Sequence, residues 1–278
     1  MSDSFQPRTQ RRPFRRTVLL GLLAAFLCGA AGPGSFRASA KQSASITVSA
    51  AISLKDGLDE IAQAYEHSHP GTNISLNYGG SGTLQRQIEQ GAPVDVFVSA
   101  GKAQMDALES EKLVIAATRR NLVSNELVLI APANSTIVRT FQDLTRPDVK
   151  IIALGDPATV PAGVYAQQAL GHLGLLAAIQ KKVVYAKDVR QVLTYVETGN
   201  ADAGMVYQTD ARITSKVRVV ATAAPASHEP IVYPVAILAM SKNLPVARSF
   251  LEFLMTPESR GIFEKVGFTI PEKQAEKS

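Results

Sequence analysis

Four short stretches of the chain carry residues suited to holding an anion. They are Ala50-Ala51-Ile52-Ser53-Leu54, Gly79-Gly80-Ser81-Gly82-Thr83-Leu84, Val160-Pro161-Ala162-Gly163-Val164-Tyr165 and Asp188-Val189-Arg190. Each lies where a β-rich run gives way to a helical pattern. A helix start presents N–H groups that have no partner in their own helix, together with the positive end of the helix dipole. That combination is a ready anion site. Ser53 sits where an N-cap belongs, with Asp56 three residues on as in a capping box. Ser81 is presented by a flexible Gly-Gly-Ser-Gly turn. Pro161 fits the first helical turn, and Ala162 and Gly163 after it leave the backbone accessible. Asp188 reads as the cap of the helix that Val189 opens. Serine adds a hydroxyl donor without adding charge. Each stretch taken singly is also what an ordinary capped helix looks like; the glycine-flanked Ser81 is the most specific of the four.

Catalytic and metal-binding patterns are thinly represented. Gly79-Gly80-Ser81-Gly82-Thr83 resembles a nucleophile elbow, but Thr83 stands where the final Gly belongs. It also lacks the Gly-Lys-Ser/Thr ending of a phosphate-binding loop. Ser53 and Lys55 are one residue too close for a Ser-x-x-Lys pair. A secreted hydrolase using Ser81 needs a distant His and an acid, and no local pattern supplies them. His67 and His69 have a spacing that could hold a divalent metal, although solvated surface histidines look the same. His172 closes a helical pattern, where a cation suits the dipole, and His228 lies beside Glu229 in a loop.

The elements that must position these residues follow from hydrophobic periodicity. Strands are predicted at Ile46–Ala50, Asn73–Tyr78, Val94–Ser99, Glu126–Ala131, Lys150–Ala153, Val183–Tyr185, Ala203–Tyr207, Val217–Ala221 and Ile231–Met240. Helices are predicted at Leu54–His67, Thr83–Gln90, Lys102–Glu109, Ala162–Leu173, Val189–Thr198, Val246–Leu254 and Glu258–Val266, before a charged tail. Alternating β and α over most of the chain implies a mostly parallel α/β architecture. A second run of β-α units begins near Asn125, which predicts two lobes. Such folds place ligands beyond the carboxyl ends of the strands, where the four stretches lie. No fixed-period repeat is visible.

The composition, 46% hydrophobic and 19% charged, excludes a disordered chain, a collagen and a coiled coil. The net charge of +5 has a local origin. Residues 1–40 hold six of the 29 basic side chains and one of the 24 acidic ones, so acid and base balance over 41–278. A nucleic-acid partner thereby loses its electrostatic support. Residues 1–40 read as a signal peptide instead. Basic residues end at Arg15-Arg16, a charge-free run follows from Thr17 to Ala31, and Ala38-Ser39-Ala40 suits cleavage after Ala40. That run is shorter than the roughly 20 residues a membrane span needs. Arg15-Arg16 is compatible with a twin-arginine signal without requiring one. Cys28, the single cysteine, lacks the small residues that precede a lipid-modified cysteine, and its removal would leave 41–278 without a thiol. These features predict an exported, periplasmic protein.

Several stretches, in order over about 41–270, resemble the periplasmic molybdate-binding proteins of molybdate ABC transporters. They are Ile46–Leu54, Ser81–Ile88 with Gly91–Ala100, Gly155–Tyr165, Asp188–Arg190, Ala203–Asp210, Tyr233–Val235 and Gly267–Ile270. The resemblance implies a two-lobed periplasmic-binding-protein fold, each lobe a mostly parallel sheet flanked by helices, joined by crossover strands. Lobe one would be 41–124 plus 234–278 and lobe two 125–233. It implies that Ser53 and Ser81 donate hydroxyl and backbone N–H, Ala162 and Val189 donate backbone N–H, and Tyr207 donates its phenol to one oxyanion. No catalytic residue, cofactor or directly coordinated metal is implied; the ligand is molybdate or tungstate. The partners implied are a membrane permease and its ATPase, for a monomeric carrier. A sulfate or other small-oxyanion binder of the same fold is the nearest alternative.

Overall fold

The structure, a computed structural model, describes residues 44–271. The signal peptide expected in 1–40, with Cys28 and Ala38-Ser39-Ala40, and the charged tail beyond 271 lie outside the described residues.

Two five-stranded sheets carry the chain. The first has the order β2-β1-β3-β10-β4, built from β1 (Ala44–Ala51), β2 (Thr72–Gly79), β3 (Val96–Val98), β4 (Arg120–Ser124) and β10 (Val232–Ile237). The second has the order β7-β6-β8-β5-β9, built from β5 (Leu127–Pro132), β6 (Ile152–Gly155), β7 (Val183–Ala186), β8 (Ala203–Tyr207) and β9 (Val217–Thr222). In the first sheet β1 pairs in parallel with β2 and β3, while β10 runs antiparallel to β3 and β4. In the second, β6 pairs in parallel with β7 and β8, while β5 runs antiparallel to β8 and β9. The two sheets therefore share one strand order and one set of directions. The antiparallel strand in each is the one that has just crossed from the other sheet. The sequence shows no matching repeat because pairing order is set by topology and hydrophobic patterning, which many residue strings satisfy.

Helices cover the sheets as their periodicity requires. In α1 (Lys55–Ser68), Leu58, Ile61, Ala62 and Tyr65 fall on one stripe and are buried. The next two helices, α2 (Ser81–Glu89) and α3 (Lys102–Ser110), bury Leu84, Ile88, Met105 and Leu108 in a separate cluster with Phe97 of β3. On the second sheet, α4 (Pro161–His172) and α6 (Val189–Glu197) bury Ala166, Ala169, Leu170, Val192, Leu193 and Val196. Two short helices, α5 (Leu176–Ile179) and α7 (Gln208–Ala211), and strand β4 were not expected from periodicity, being too short or too mixed to give a signal. Two C-terminal helices, α8 (Leu244–Leu254) and α9 (Pro257–Lys265), pack on the first sheet's side, with Phe250, Leu254 and Phe263 fully enclosed. Among the described residues no helix is long and apolar enough to cross a membrane.

The start of α4 is fixed by a close approach. A Cβ added at Gly163 would lie 2.1 Å from the carbonyl oxygen of Gly155, the last residue of β6. No side chain larger than hydrogen fits without moving α4 off its strand. Gly163→Ala is expected to lower unfolding free energy by about 2–3 kcal/mol, as overpacking against a rigid backbone does. Urea denaturation checks it; an unchanged midpoint would mean that α4 does not sit this close to β6.

Candidate functional site

The carboxyl ends of the parallel strands in the two sheets meet at a small cavity. From the first sheet it is lined by Ala51–Ser53 after β1, Gly79–Ser81 after β2 and Ala100 after β3. From the second it is lined by Val160 and Pro161 after β6, Asp188 and Val189 after β7, and Tyr207 at the end of β8. Ser53, Ser81, Val189 and Tyr207 are thus brought together on one wall system. Ala162 is buried one residue beyond Pro161 and is not itself a lining residue. Its N–H belongs to the first turn of α4, where no carbonyl of the same helix can accept it. The same holds for the N–H groups of Ser81 and Val189, which open α2 and α6.

Two details of the helix starts differ from the expectation. Ser53 is not an N-cap. It lies inside a 3₁₀ turn, Ile52–Leu54, ahead of α1, and no capping box forms with Asp56. A tight turn between β1 and α1 frees the hydroxyl from capping and turns it towards Tyr233. The glycines around Ser81 do not serve flexibility. Gly80 has φ −66°, an ordinary value. What they supply is room: a Cβ at Gly80 would lie 2.8 Å from the carbonyl oxygen of Lys187, and one at Gly82 would lie 2.8 Å from Thr159 Cα. Gly82 N–H also donates to Thr159 O at 2.8 Å, so this turn is where the two sheets' loops touch. Two expectations hold: Pro161 occupies the first turn of α4, and Asp188 caps α6 by accepting from Gln191 N–H at 2.9 Å.

The hydroxyls are oriented by their neighbours. Ser81 Oγ accepts from Ala100 N–H at 2.9 Å, leaving its proton to donate elsewhere. Ser53 Oγ lies 3.0 Å from the Tyr233 hydroxyl, whose oxygen in turn accepts from Asn125 Nδ2 at 3.4 Å. Where Tyr233 donates to Ser53, the Ser53 proton is left for the cavity. Tyr207 donates to Ala100 O over a long 3.4 Å. Burial raises the pKa of both Tyr207 and Tyr233 well above the usual phenol value, so each remains a neutral donor. Tyr233 and Asn125 had no assigned role in the sequence; the available signal was that a tyrosine in a buried strand must find a polar partner.

Formal charge is kept to the edges. Asp188 lines the cavity, but its Oδ1 is held by the first turn of α6. Just outside, Arg190 Nε donates to Asp210 Oδ1 at 2.7 Å and its Nη2 to Asp56 Oδ2 at 2.6 Å. Asp210 is fully enclosed, and its Oδ2 has no hydrogen-bond partner among the described residues. Burial pushes its carboxyl up to about 6, a rise that Arg190 restrains. Burial also lowers the Arg190 guanidinium, but Asp210 and Asp56 outweigh it and the net shift is upward. The two carboxylates therefore take up the Arg190 charge. No Lys or Arg is among the residues lining the cavity.

Residues 46–269 match the family described as bacterial extracellular solute-binding protein. The chain belongs to this family. It is similar to YvgL of Bacillus subtilis (strain 168), a candidate ABC transporter substrate-binding lipoprotein, with 43% identity over 91% of this chain and 97% of that one. It is 38% identical to the molybdate-binding protein ModA of Haemophilus influenzae, over 84% of this chain and 92% of the relative. Among solved structures it resembles the periplasmic molybdate-binding protein of Azotobacter vinelandii, with TM-score 0.74 and 25% identity, covering 82% of this chain and all of the other.

In this solute-binding protein Asp210 makes stability depend on pH with a definite sign. Its folded pKa of about 6 exceeds the ordinary 3.8, so between those values the folded chain holds a proton that the unfolded chain has lost. The buried charge destabilises the fold above about pH 6, and that cost fades as pH falls towards 4. Asp210→Asn, which cannot ionise, is expected to remove this component. Its melting temperature should rise less than that of the parent, or fall more, from pH 7 to pH 4.5. Parallel profiles in thermal melts at fixed ionic strength would refute the buried charge.

Proposed function

We propose that this protein captures molybdate, and tungstate with it, between its two halves and delivers the ion to an ABC importer. The observation that carries the reading is geometric: Ser53, Ser81, Val189 and Tyr207, on opposite sheets, line one small cavity free of cationic side chains. Ala162 joins them through the first-turn N–H of α4. The molybdate-binding relatives at comparable length support the choice of ion.

The physical case is one of matched donors. Molybdate keeps both negative charges at neutral pH and has no proton to donate, so a wall made of donors complements every oxygen. Charge-assisted hydrogen bonds contribute roughly 1.5–3 kcal/mol each. A handful of them, less several kcal/mol for lost ligand freedom and ordering, reaches roughly −8 to −12 kcal/mol, or micromolar to nanomolar affinity. Because the donors come from both halves, binding favours the closed arrangement by population shift. Molybdate and tungstate are nearly equal in size and are bound alike; sulfate is smaller and leaves donors at long range.

In this reading lobe one comprises 41–124 plus 234–278 and lobe two 125–233, with 1–40 cleaved after Ala40 to release a monomeric carrier into the periplasm. The closed form docks on a membrane permease whose ATPase partner powers import. The protein acts as a carrier and not as an enzyme, uses no cofactor and has no nucleic-acid partner. A hydrolase reading of Ser81 lacks support: its hydroxyl bonds a backbone N–H, and no histidine bonds it among the described residues. The metal-scavenging reading of His67 and His69 is weak too, since His69 stacks on Tyr65 and bonds locally.

Ser81→Ala is expected to weaken molybdate binding at least tenfold, by calorimetry, with an unchanged circular dichroism spectrum. Thermal shifts should be large with molybdate and tungstate and small with sulfate, phosphate and divalent metals. A larger shift with sulfate would transfer the assignment to that ion, and unaltered affinity in Ser81→Ala would remove Ser81 from the site.

A further inference from the structure

Beside the cavity, one arginine joins the two halves by charge. Arg190 is the second residue of α6 and belongs to the second sheet's half. Its Nε is held at 2.7 Å by Asp210, which lies in the same half just after β8, so the side chain is anchored at home. Its Nη2 then reaches 2.6 Å to Asp56, in the first turn of α1, which belongs to the other half. The Arg190 side chain is 20% exposed, whereas that of Asp56 is 48% exposed and that of Asp210 not at all. The inner contact is thus shielded, and the outer one is the part open to solvent and salt. Elsewhere beside the cavity the halves also touch through uncharged backbone, Gly82 N–H to Thr159 O.

We propose that Arg190 is a latch for the closed state, gripping Asp56 across the seam while Asp210 fixes its orientation. This rests on the reading of the chain as a two-lobed oxyanion carrier. The fork of the guanidinium suits the task, since one edge can stay bound while another engages a second carboxylate. Of the two contacts Arg190 makes, only that to Asp56 spans the halves, so it is the one of the pair that must break when they part. Arg190 follows Val189, whose N–H opens α6, so the latch also holds that helix start against the first half when the cavity is closed. A permease that competes for Asp56 or Arg190 would release the ion by the same route. Arg190 acts here as a positioning residue and does not touch the ion, its charge being used by the two carboxylates.

The test uses the full chain carrying Cys28→Ser with spin labels at Glu89→Cys in α2 and Ala178→Cys in α5, both exposed and on opposite halves. Without ion, Asp56→Asn should shift the label distances towards longer separations than the parent shows. Saturating sodium molybdate should bring both to one short separation. Stopped-flow release of molybdate should be roughly threefold to tenfold faster in Asp56→Asn, the range for a partly exposed charged pair, and Asp56→Glu should restore it. Raising salt from about 50 to about 500 mM should speed release from the parent and leave Asp56→Asn unaffected. Identical distances and release rates would overturn the latch. So would slower release from Asp56→Asn, because Asp56 would then be repelling the ion. If molybdate moves neither protein while the label distances still separate the two, the ligand reading falls and the latch stands.

Discussion

The N–H groups of Ser81 and Val189, which open α2 and α6 beside a shared cavity between two sheets, have no acceptor in their own helices. Burying such donors without acceptors is costly. The arrangement is tolerable only if an acceptor comes from outside, and a tetrahedral oxyanion supplies acceptors in several directions at once. The flanking serines accentuate the demand. Ser81 spends a lone pair on Ala100 N–H and is left holding a proton to give, while Ser53 shares a hydrogen bond with the Tyr233 hydroxyl.

Bringing those donors together depends on backbone approaches that side chains would prevent. Gly80 and Gly82 let the loops at Thr159 and Lys187 come against the start of α2, and Gly163 lets α4 sit on the end of β6. The sheets themselves are tied by exchange of strands. Each sheet takes its antiparallel member, β5 or β10, from a chain that has just left the other. The chain passes between the sheets twice, between β4 and β5 and between β9 and β10. The enclosed core runs through both sheets.

Charge is handled by distance and pairing. Near the cavity, Arg190 is paired with one buried and one exposed carboxylate. Asp188, on the wall, is turned to the α6 backbone as a cap. Neutral tyrosines, with ionisation suppressed by burial, supply polarity where a cation would otherwise be expected. A site of this kind discriminates by donor geometry and cavity size, since no net positive charge attracts all anions equally.

Much of the fold was legible in the chain because amphipathic periodicity is a local property. The stripe of Leu58, Ile61 and Tyr65, the buried run of Ala203–Tyr207 and the proline at the start of α4 each announce their element without tertiary help. The helix starts were legible for the same reason, since Ser81, Pro161 and Asp188 are local punctuation. What the sequence could not disclose depends on partners far along the chain. Ser53 looked like a cap for α1, and only the fold brings Tyr233, 180 residues away, to take its hydroxyl. The glycines beside Ser81 looked like flexibility, and only the packing of Thr159 and Lys187 against them reveals that they provide space. Arg190 looked like one more residue of a helix start, and only the fold brings Asp56, 134 residues away, to its guanidinium. Local pattern determined which donors exist; the crossing of strands between two sheets decided that they share one cavity and what stands guard at its edge.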